Sequence, residues 1–288
     1  MSMTILVTGA TGGYGSSALE ELKTLVPQDE IFALARSEEK AATLREKGFQ
    51  VRIASYDDSE SLEQAFTGVD RLLFVSGSEV GSRKPQHQHI IDAAKKTGVS
   101  YIAYTSFNKA DTSTSPLAAE HAYTEAAIIE SGISHTFLRN NWYLENELPL
   151  IQTALKTGKF VHAGGEGKAG WTLRSELAKL GARAISGKFD FPAVLEVGNP
   201  LMTYQQLAAA VASATGTELE VVDADVATAS QFLQDNAGMP QKVADMVAGS
   251  QSIVKSGSLA VEPSDIEKYL GRPFLTVPES LQQLLVEQ

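Results

Sequence analysis

The chain contains no cysteine. That excludes disulfides, thiol catalysis and thiolate-bound metal, and it fits a reducing compartment. Positive charge is in deficit: 24 Lys and Arg stand against 35 Asp and Glu, a net charge of -11. With no basic stripe to neutralise phosphates, nucleic acid is not expected as a partner. No apolar run reaches the ~18 residues needed to span a bilayer. The sequence enters an apolar strand at Met3, so no signal peptide is expected, and neither is a membrane partner. A cytoplasmic location is the expectation. Hydrophobic content of 43% with 20% charged residues is ordinary for a globular chain.

What the chain does have is a glycine turn near its start, Thr8-Gly9-Ala10-Thr11-Gly12-Gly13-Tyr14-Gly15. It follows the apolar run Met3 to Val7, a buried strand, and precedes the amphipathic stretch Tyr14 to Leu25, a helix. Each glycine has a physical task. Gly9 permits the tight turn, Gly12 lets backbone approach a phosphate, and Gly15 allows close helix packing. Free N–H groups at the helix start then face an anion. An ordinary Gly-rich connection would share the spacing. The strand–turn–helix order is what favours a dinucleotide site.

Strands are expected at Glu30–Ala35, Gln50–Ala54, Arg71–Val75, Ser100–Thr105 and Ser134–Leu138. They alternate with helices after Ser37, from Ser59, from Gln86 and from Leu117. Such alternation builds a parallel sheet from βαβ units, with helices on both faces. The expected fold is therefore α/β, a Rossmann-type doubly wound parallel sheet with a smaller C-terminal α/β region. Residues 1–140 are expected to form the dinucleotide-binding domain. Residues 141–288 form a substrate-side region over the sheet's C-terminal edge, with a return of the chain to the sheet left open. Ligands in such sheets bind at the C-terminal strand ends. Later helices are expected near Asn146–Thr157, Arg174–Ile185, Thr203–Thr215, Ala227–Asn236 and Pro278–Val286, and short strands at Phe160–Val161, Val194–Val197 and Leu219–Val222.

Arg36 ends the second strand, where many dinucleotide folds carry an acidic residue for the ribose 2′-hydroxyl. A guanidinium there suits a 2′-phosphate and favours NADP over NAD. Asp57 follows the third strand, either as an acceptor for the adenine amino group or as a helix cap. Ser76-Gly77-Ser78 ends the fourth strand, and Gly77 allows close backbone approach. Thr105-Ser106 and Arg139-Asn140-Asn141-Trp142-Tyr143 end the next two. The amides, Trp142 and Tyr143 suit a nicotinamide and a flat aromatic substrate. Many reductases on this sheet use a Tyr four residues before a Lys. Here no Tyr has that partner: Tyr104 is followed by Asn108, Tyr123 by Ala127 and Tyr143 by Glu147. His121 and Glu125 lie on one helix face instead. His121 is a candidate proton donor, or else a surface or capping histidine. His87 and His89, two apart on a helix, make a poor metal pair.

These residues resemble the NmrA-like, atypical short-chain dehydrogenase family. The shared stretches are Thr8 to Gly12, Ser78-Glu79-Val80-Gly81 with Pro85-Gln86-His87, Ile102 to Ser106, and Leu138-Arg139-Asn140 with Trp142-Tyr143 and Glu145-Asn146. The likeness runs over nearly the whole chain. Departures are Glu176 and Leu177, where relatives often have Asp then an aromatic, and Asn141 for a commoner Gly. The resemblance implies NADP(H) held by Gly9, Thr11, Gly12, Gly13, Tyr14, Gly15, Arg36, Asp57, Ser76, Gly77, Ser78, Arg83, Thr105 and Asn140. It implies a small-molecule quinone near the nicotinamide, and the candidates for the reacting centre are Asn140, Tyr143 and His121. No metal site is expected, and a homodimer is left open. An NADP-binding redox sensor without turnover is the alternative activity.

Overall fold

The structure is a computed structural model that describes residues 3–77, 79 and 81–286. In chain order its elements are β1 (Ile5–Val7), α1 (Gly13–Leu25), β2 (Ile31–Ala35), α2 (Glu38–Glu46), β3 (Gln50–Ile53), α3 (Ser59–Phe66), β4 (Arg71–Phe74), α4 (Arg83–Thr97), β5 (Tyr101–Phe107), α5 (Pro116–Ser131) and β6 (Ser134–Asn140). There follow α6 (Leu148–Thr157), β7 (Lys159–His162), β8 (Lys168–Ala169), α7 (Arg174–Ile185), β9 (Val194–Val197), β10 (Met202–Thr203) and α8 (Tyr204–Thr215). Last come β11 (Glu220–Asp223), α9 (Val226–Ala237), α10 (Gln241–Lys255), α11 (Glu267–Leu270) and α12 (Val277–Val286). The chain divides into two compact units. The first comprises Met1–Asn140, Arg174–Leu195 and Asp265–Arg272, and the second Asn141–Leu173, Glu196–Ser264 and Pro273–Gln288.

Among the described residues the main sheet has seven strands in the order β3-β2-β1-β4-β5-β6-β9. The ladders joining β1 to β2 and β4, β2 to β3, β4 to β5 and β5 to β6 are all parallel. Strand order reverses between β1 and β4, which sets the ligand crevice at their C-terminal ends. β1 is apolar at every position and fully buried, as a central strand covered on both faces requires. Ser37 caps α2 through the Lys40 N–H. Side chains such as Phe66, Phe74, Ile90, Tyr104 and Phe137 fill one cluster of this unit's core. α1 packs on α7, where the Tyr14 hydroxyl donates to the Leu177 carbonyl at 3.0 Å.

β5 and β6 run two residues beyond the expected ends, and their ladder continues to Phe107 opposite Asn140. Arg139 and Asn140 therefore belong to the strand rather than to the loop after it. In the second unit, parallel β7 and β11 and antiparallel β8 and β10 form two small sheets. Val161, Ala163, Ala229 and Ala248 form a core cluster there. The sequence reading has no counterpart for α10, since beside Val254 the helix buries only small or polar residues, Ala244, Ala248 and Gln251, and turns Val243 and Met246 to solvent. An apolar stripe is then no guide to its buried face.

Candidate active site

The glycine turn lies between β1 and α1. Gly9 takes the left-handed backbone at φ +58, which disfavours any side chain. Its N–H donates to the Tyr56 hydroxyl at 3.2 Å. A Cβ at Gly15 would collide with the Gly9 carbonyl and the Ala10 backbone, so Gly15 shapes the turn itself. A Cβ at Gly12 would touch only the Gly9 oxygen, at 3.3 Å. Gly12 is the N-cap of α1, no side chain caps that end, and no acidic residue lies in its first turn. The backbone N–H groups there form an open, electropositive cradle of the kind that receives a pyrophosphate. Gly13 lies against the Arg174 side chain, whose Cδ would be 3.5 Å from a Cβ there. The ring of Tyr14 is buried towards α7, which leaves its backbone to face a ligand.

At the ends of β2 and β3, Arg36 pairs with Glu79 at 3.1 Å, and both are well exposed, at 68% and 53%. The other Glu79 oxygen accepts from Gln86 Nε2 at 3.2 Å, and the same nitrogen donates to Asp57 at 3.2 Å. Asp58, not Asp57, caps α3 through the Glu60 and Ser61 N–H groups. The capping alternative for Asp57 therefore passes to its neighbour.

The loop after β4 is pinned from beneath. Ser76 N–H donates to Thr105 Oγ1 at 2.8 Å, and Gly77 N–H donates to His87 Nε2 at 3.1 Å. Arg83 Nε donates to the Gly77 carbonyl at 2.6 Å, and Gly81 N–H donates to Glu120 at 2.8 Å. Ser78 lies outside the described residues. Arg83 also donates to His121 Nε2 at 3.4 Å, while His121 Nδ1 meets the Tyr104 hydroxyl at 2.8 Å. A guanidinium only donates, so Nε2 of His121 is an acceptor and its proton sits on Nδ1, pointed at Tyr104. Burial, followed by the Arg83 guanidinium and the neighbouring His87 imidazole, pulls His121 down to about 3. Burial, then Arg83, does the same to His87. Burial raises the Tyr104 phenol. All three groups are neutral at pH 7. His87 sits between Gly77 and Thr124, whereas His89 turns to the Tyr56 carbonyl.

At the end of β6, Arg139 forms a two-pronged pair with Glu125, Nε to Oε1 at 2.9 Å and Nη2 to Oε2 at 2.6 Å. Ser106 donates to Glu125 at 2.6 Å, and Asp111 accepts from Arg139 at 2.9 Å. Both members of the Arg139–Glu125 pair are buried. Asn140, next along the strand, is only 3% exposed, yet among the described residues neither its Nδ2 nor its Oδ1 has a hydrogen-bond partner. A buried amide with both ends unpaired costs on the order of 1–3 kcal/mol per group, so it is maintained only where something else offsets it. One donor beside one acceptor is the complement of a carboxamide, the polar group of a nicotinamide.

Asn141 begins the second unit and is fully committed. Its Oδ1 accepts from the Trp142 and Gly170 N–H groups, at 2.8 and 2.9 Å, and its Nδ2 donates to the Leu259 carbonyl at 3.0 Å. The two adjacent amides of the sequence thus have different fates. Trp142 is buried as well, and its indole donates to Glu147 at 3.1 Å. Tyr143 is half-buried and bridges to Thr172.

The NmrA-like family model matches residues 1–269. The chain belongs to the NmrA-like family. It is 40% identical to quinone oxidoreductase 2 of Escherichia coli strain K12 over 97% of this chain and 98% of that protein. The crystal structure of that organism's NADPH-dependent quinone oxidoreductase, complexed with NADPH, superposes with a TM-score of 0.89 at 39% identity, covering 98% of this chain and 100% of the other. Triphenylmethane reductase from Citrobacter sp., complexed with NADP(H), gives a TM-score of 0.90 at 30% identity over 98% of this chain and 99% of that one.

Within this NmrA-like chain, several residues that shape the site carry no local signal. Tyr56 supports the glycine turn, Glu120 and His87 hold the β4 loop, and Arg174 reaches Gly13 from α7, more than 150 residues away in sequence. The hints in the sequence are the Pro85-Gln86-His87 stretch and the Glu120-His121 and Thr124-Glu125 pairs, one helical turn apart.

Proposed function

We propose that this chain reduces quinones with NADPH by direct hydride transfer, without a dedicated proton donor. The observation that carries the reading is a contrast: among the described residues, the first unit offers places to bind and orient, but no poised acid. Asn140 presents an unpaired buried amide, and Gly12 presents an open cradle. His121 and Tyr104, the buried titratable groups nearest in kind to a donor, are neutral and hydrogen-bonded to each other. Reduction of an ordinary ketone creates an alkoxide about as basic as hydroxide, and so calls for a positioned acid. A reduced quinone is a phenolate-type anion with a pKa nearer about 10. Solvent protonates that anion readily, and orientation is what remains for the protein to supply.

When bound, NADPH supplies the hydride from its nicotinamide. The remaining work belongs to the chain. The Gly12 N–H closes the turn on the Gly9 carbonyl at 2.9 Å, and the N–H groups of Gly13, Tyr14 and Gly15 hold the pyrophosphate. Arg36 leaves Glu79 to pair with the 2′-phosphate, and Asp57 serves the adenine. The Ser76–Gly77 loop, held by Arg83 and Thr105, lies along the ribose side. Asn140 pairs with the carboxamide and fixes the nicotinamide ring. Tyr143 orients the quinone. In this reading residues 1–140 are the core of the cofactor-binding part, and His121 is an anchor for Tyr104 and Arg83 instead of an acid. The deciding measurement is NADPH oxidation with and without a panel of simple quinones. Quinone-dependent oxidation is the expected result. NADPH binding with no turnover on any quinone would favour the sensor reading instead.

A further inference from the structure

The second unit contains a buried carboxylate that the proposed reaction does not use. One oxygen of Glu147, Oε1, accepts from the Trp142 indole at 3.1 Å, the Trp171 indole at 3.1 Å and the Tyr204 hydroxyl at 2.8 Å. All three donors are uncharged. Glu147 is 1% exposed, and Trp171 and Tyr204 are fully buried. The three donors come from separate parts of the chain: the segment after β6, the segment before α7, and the first residue of α8. Trp171 and Tyr204 also meet edge to face, with ring centroids 5.0 Å apart.

The main chain shows what this convergence holds. Thr172 N–H donates to the Trp142 carbonyl at 3.1 Å, and Leu144 N–H donates to the Thr172 carbonyl at 3.0 Å. These two bonds flank Tyr143, which forms the parallel bridge with Thr172. The residue before Tyr143 and the residue before Thr172 are the two tryptophans tied to Glu147 Oε1. The carboxylate therefore fastens both strips of the bridge from the side. Trp142 is held at one further point, where its N–H meets Asn141 Oδ1 at 2.8 Å.

We propose that Glu147 is a positioning residue for quinone reduction, fixing Tyr143 through the paired indoles of Trp142 and Trp171. This rests on the assignment of Tyr143 to the quinone. A displacement of about 1 Å at a group that orients a reactant costs on the order of 10²-fold in rate. A single oxygen that gathers three donors is well suited to prevent it. The requirement is for an acceptor at Oε1 and not for the charge as such, so an amide in its place should serve.

The experiment compares Glu147→Ala, Glu147→Gln and Trp142→Phe in the full chain. It measures the Kd for NADPH, KM and kcat with a simple quinone, melting by circular dichroism, and tryptophan emission. The chain has two tryptophans, and both donate to Glu147, so all of its indole emission reports on this point. The expected result for Glu147→Ala is shifted emission, a kcat/KM for quinone at least about tenfold lower and an NADPH Kd within about twofold of wild type, since a misplaced orienting group costs rate and not cofactor affinity. Glu147→Gln should restore emission and turnover. If Glu147→Ala does not fold, Trp142→Phe keeps an aromatic ring but removes one donor, and should raise the quinone KM with the NADPH Kd unchanged. Wild-type quinone kinetics in folded Glu147→Ala or in Trp142→Phe would overturn the inference. So would equal loss of NADPH binding and turnover, or a Glu147→Gln variant as impaired as Glu147→Ala. Absence of quinone turnover in the wild-type protein would instead overturn the functional reading on which the inference rests.

Discussion

Replacing Arg36 by Ala should remove most of the preference for NADPH over NADH. A charge-assisted contact from a guanidinium to a phosphate contributes about 1.5–3 kcal/mol. Arg36 is not idle beforehand, because its Nη1 lies 3.1 Å from a Glu79 oxygen. That pair is exposed on both sides and contributes only about 0–1 kcal/mol, which must be given up when the phosphate arrives. The net, about 0.5–3 kcal/mol, corresponds to a roughly two- to 150-fold weaker Kd for NADPH in Arg36→Ala. The NADH affinity should not move. The same reasoning makes Glu79→Gln act in the opposite direction: with the competitor discharged, NADPH should bind up to about fivefold tighter. Both differences should shrink in about 1 M salt, where the Debye length falls to about 3 Å. Calorimetric titration of both cofactors into wild type and the two variants measures all of this. An unchanged NADPH-to-NADH ratio in Arg36→Ala would refute the reasoning, as would weaker NADPH binding in Glu79→Gln.

Gly12→Val should fold and lose NADPH, since only the Gly9 oxygen faces a new Cβ. Gly15→Ala should unfold or melt far lower, because that Cβ meets backbone. Circular dichroism with cofactor titration separates the two, and tight NADPH binding by Gly12→Val would move the phosphate site elsewhere. His121→Ala should lose less than about tenfold in kcat with a quinone, against the roughly 10²–10⁴-fold typical of a general acid; a thousandfold loss in a folded variant would make His121 the proton donor. Glu125→Ala strands the buried Arg139 guanidinium, and should destabilise by about 3–5 kcal/mol, with much of that recovered when Arg139→Met is added; denaturant titration showing under about 1 kcal/mol would mean the pair is not desolvated. Burial raises Glu147 to about 7, above its ordinary 4.5. A raised carboxyl contributes stability that is complete below about 4.5 and is lost as pH rises through about 7. Relative to wild type, Glu147→Gln should therefore gain stability between pH 5 and 8 in melting scans, and a constant difference across that range would refute the buried ionisation.

By itself, the sequence determined the parts whose physics is local or periodic. Apolar runs of three to five residues between amphipathic helices specify a parallel sheet, because only helices on both faces bury such strands. The glycine turn is equally legible, since a left-handed Gly9 and a crowded Gly15 allow no other residue. Arg36 and Asn140 were visible as residue types standing at strand ends. Only the tertiary structure decided what each polar side chain is for. Asn140 and Asn141 are identical and adjacent. One is left with an unpaired amide, whereas the other is spent on Trp142, Gly170 and Leu259. His121 reads as an acid by spacing and becomes a neutral anchor once burial and Arg83 act on it. Glu79 stands against Arg36 across 43 residues, and Glu147 draws donors from as far away as Tyr204. A hydrogen bond depends on distances of a few tenths of an ångström between groups that the chain brings together from far apart. Spacing along the sequence carries no trace of such a meeting.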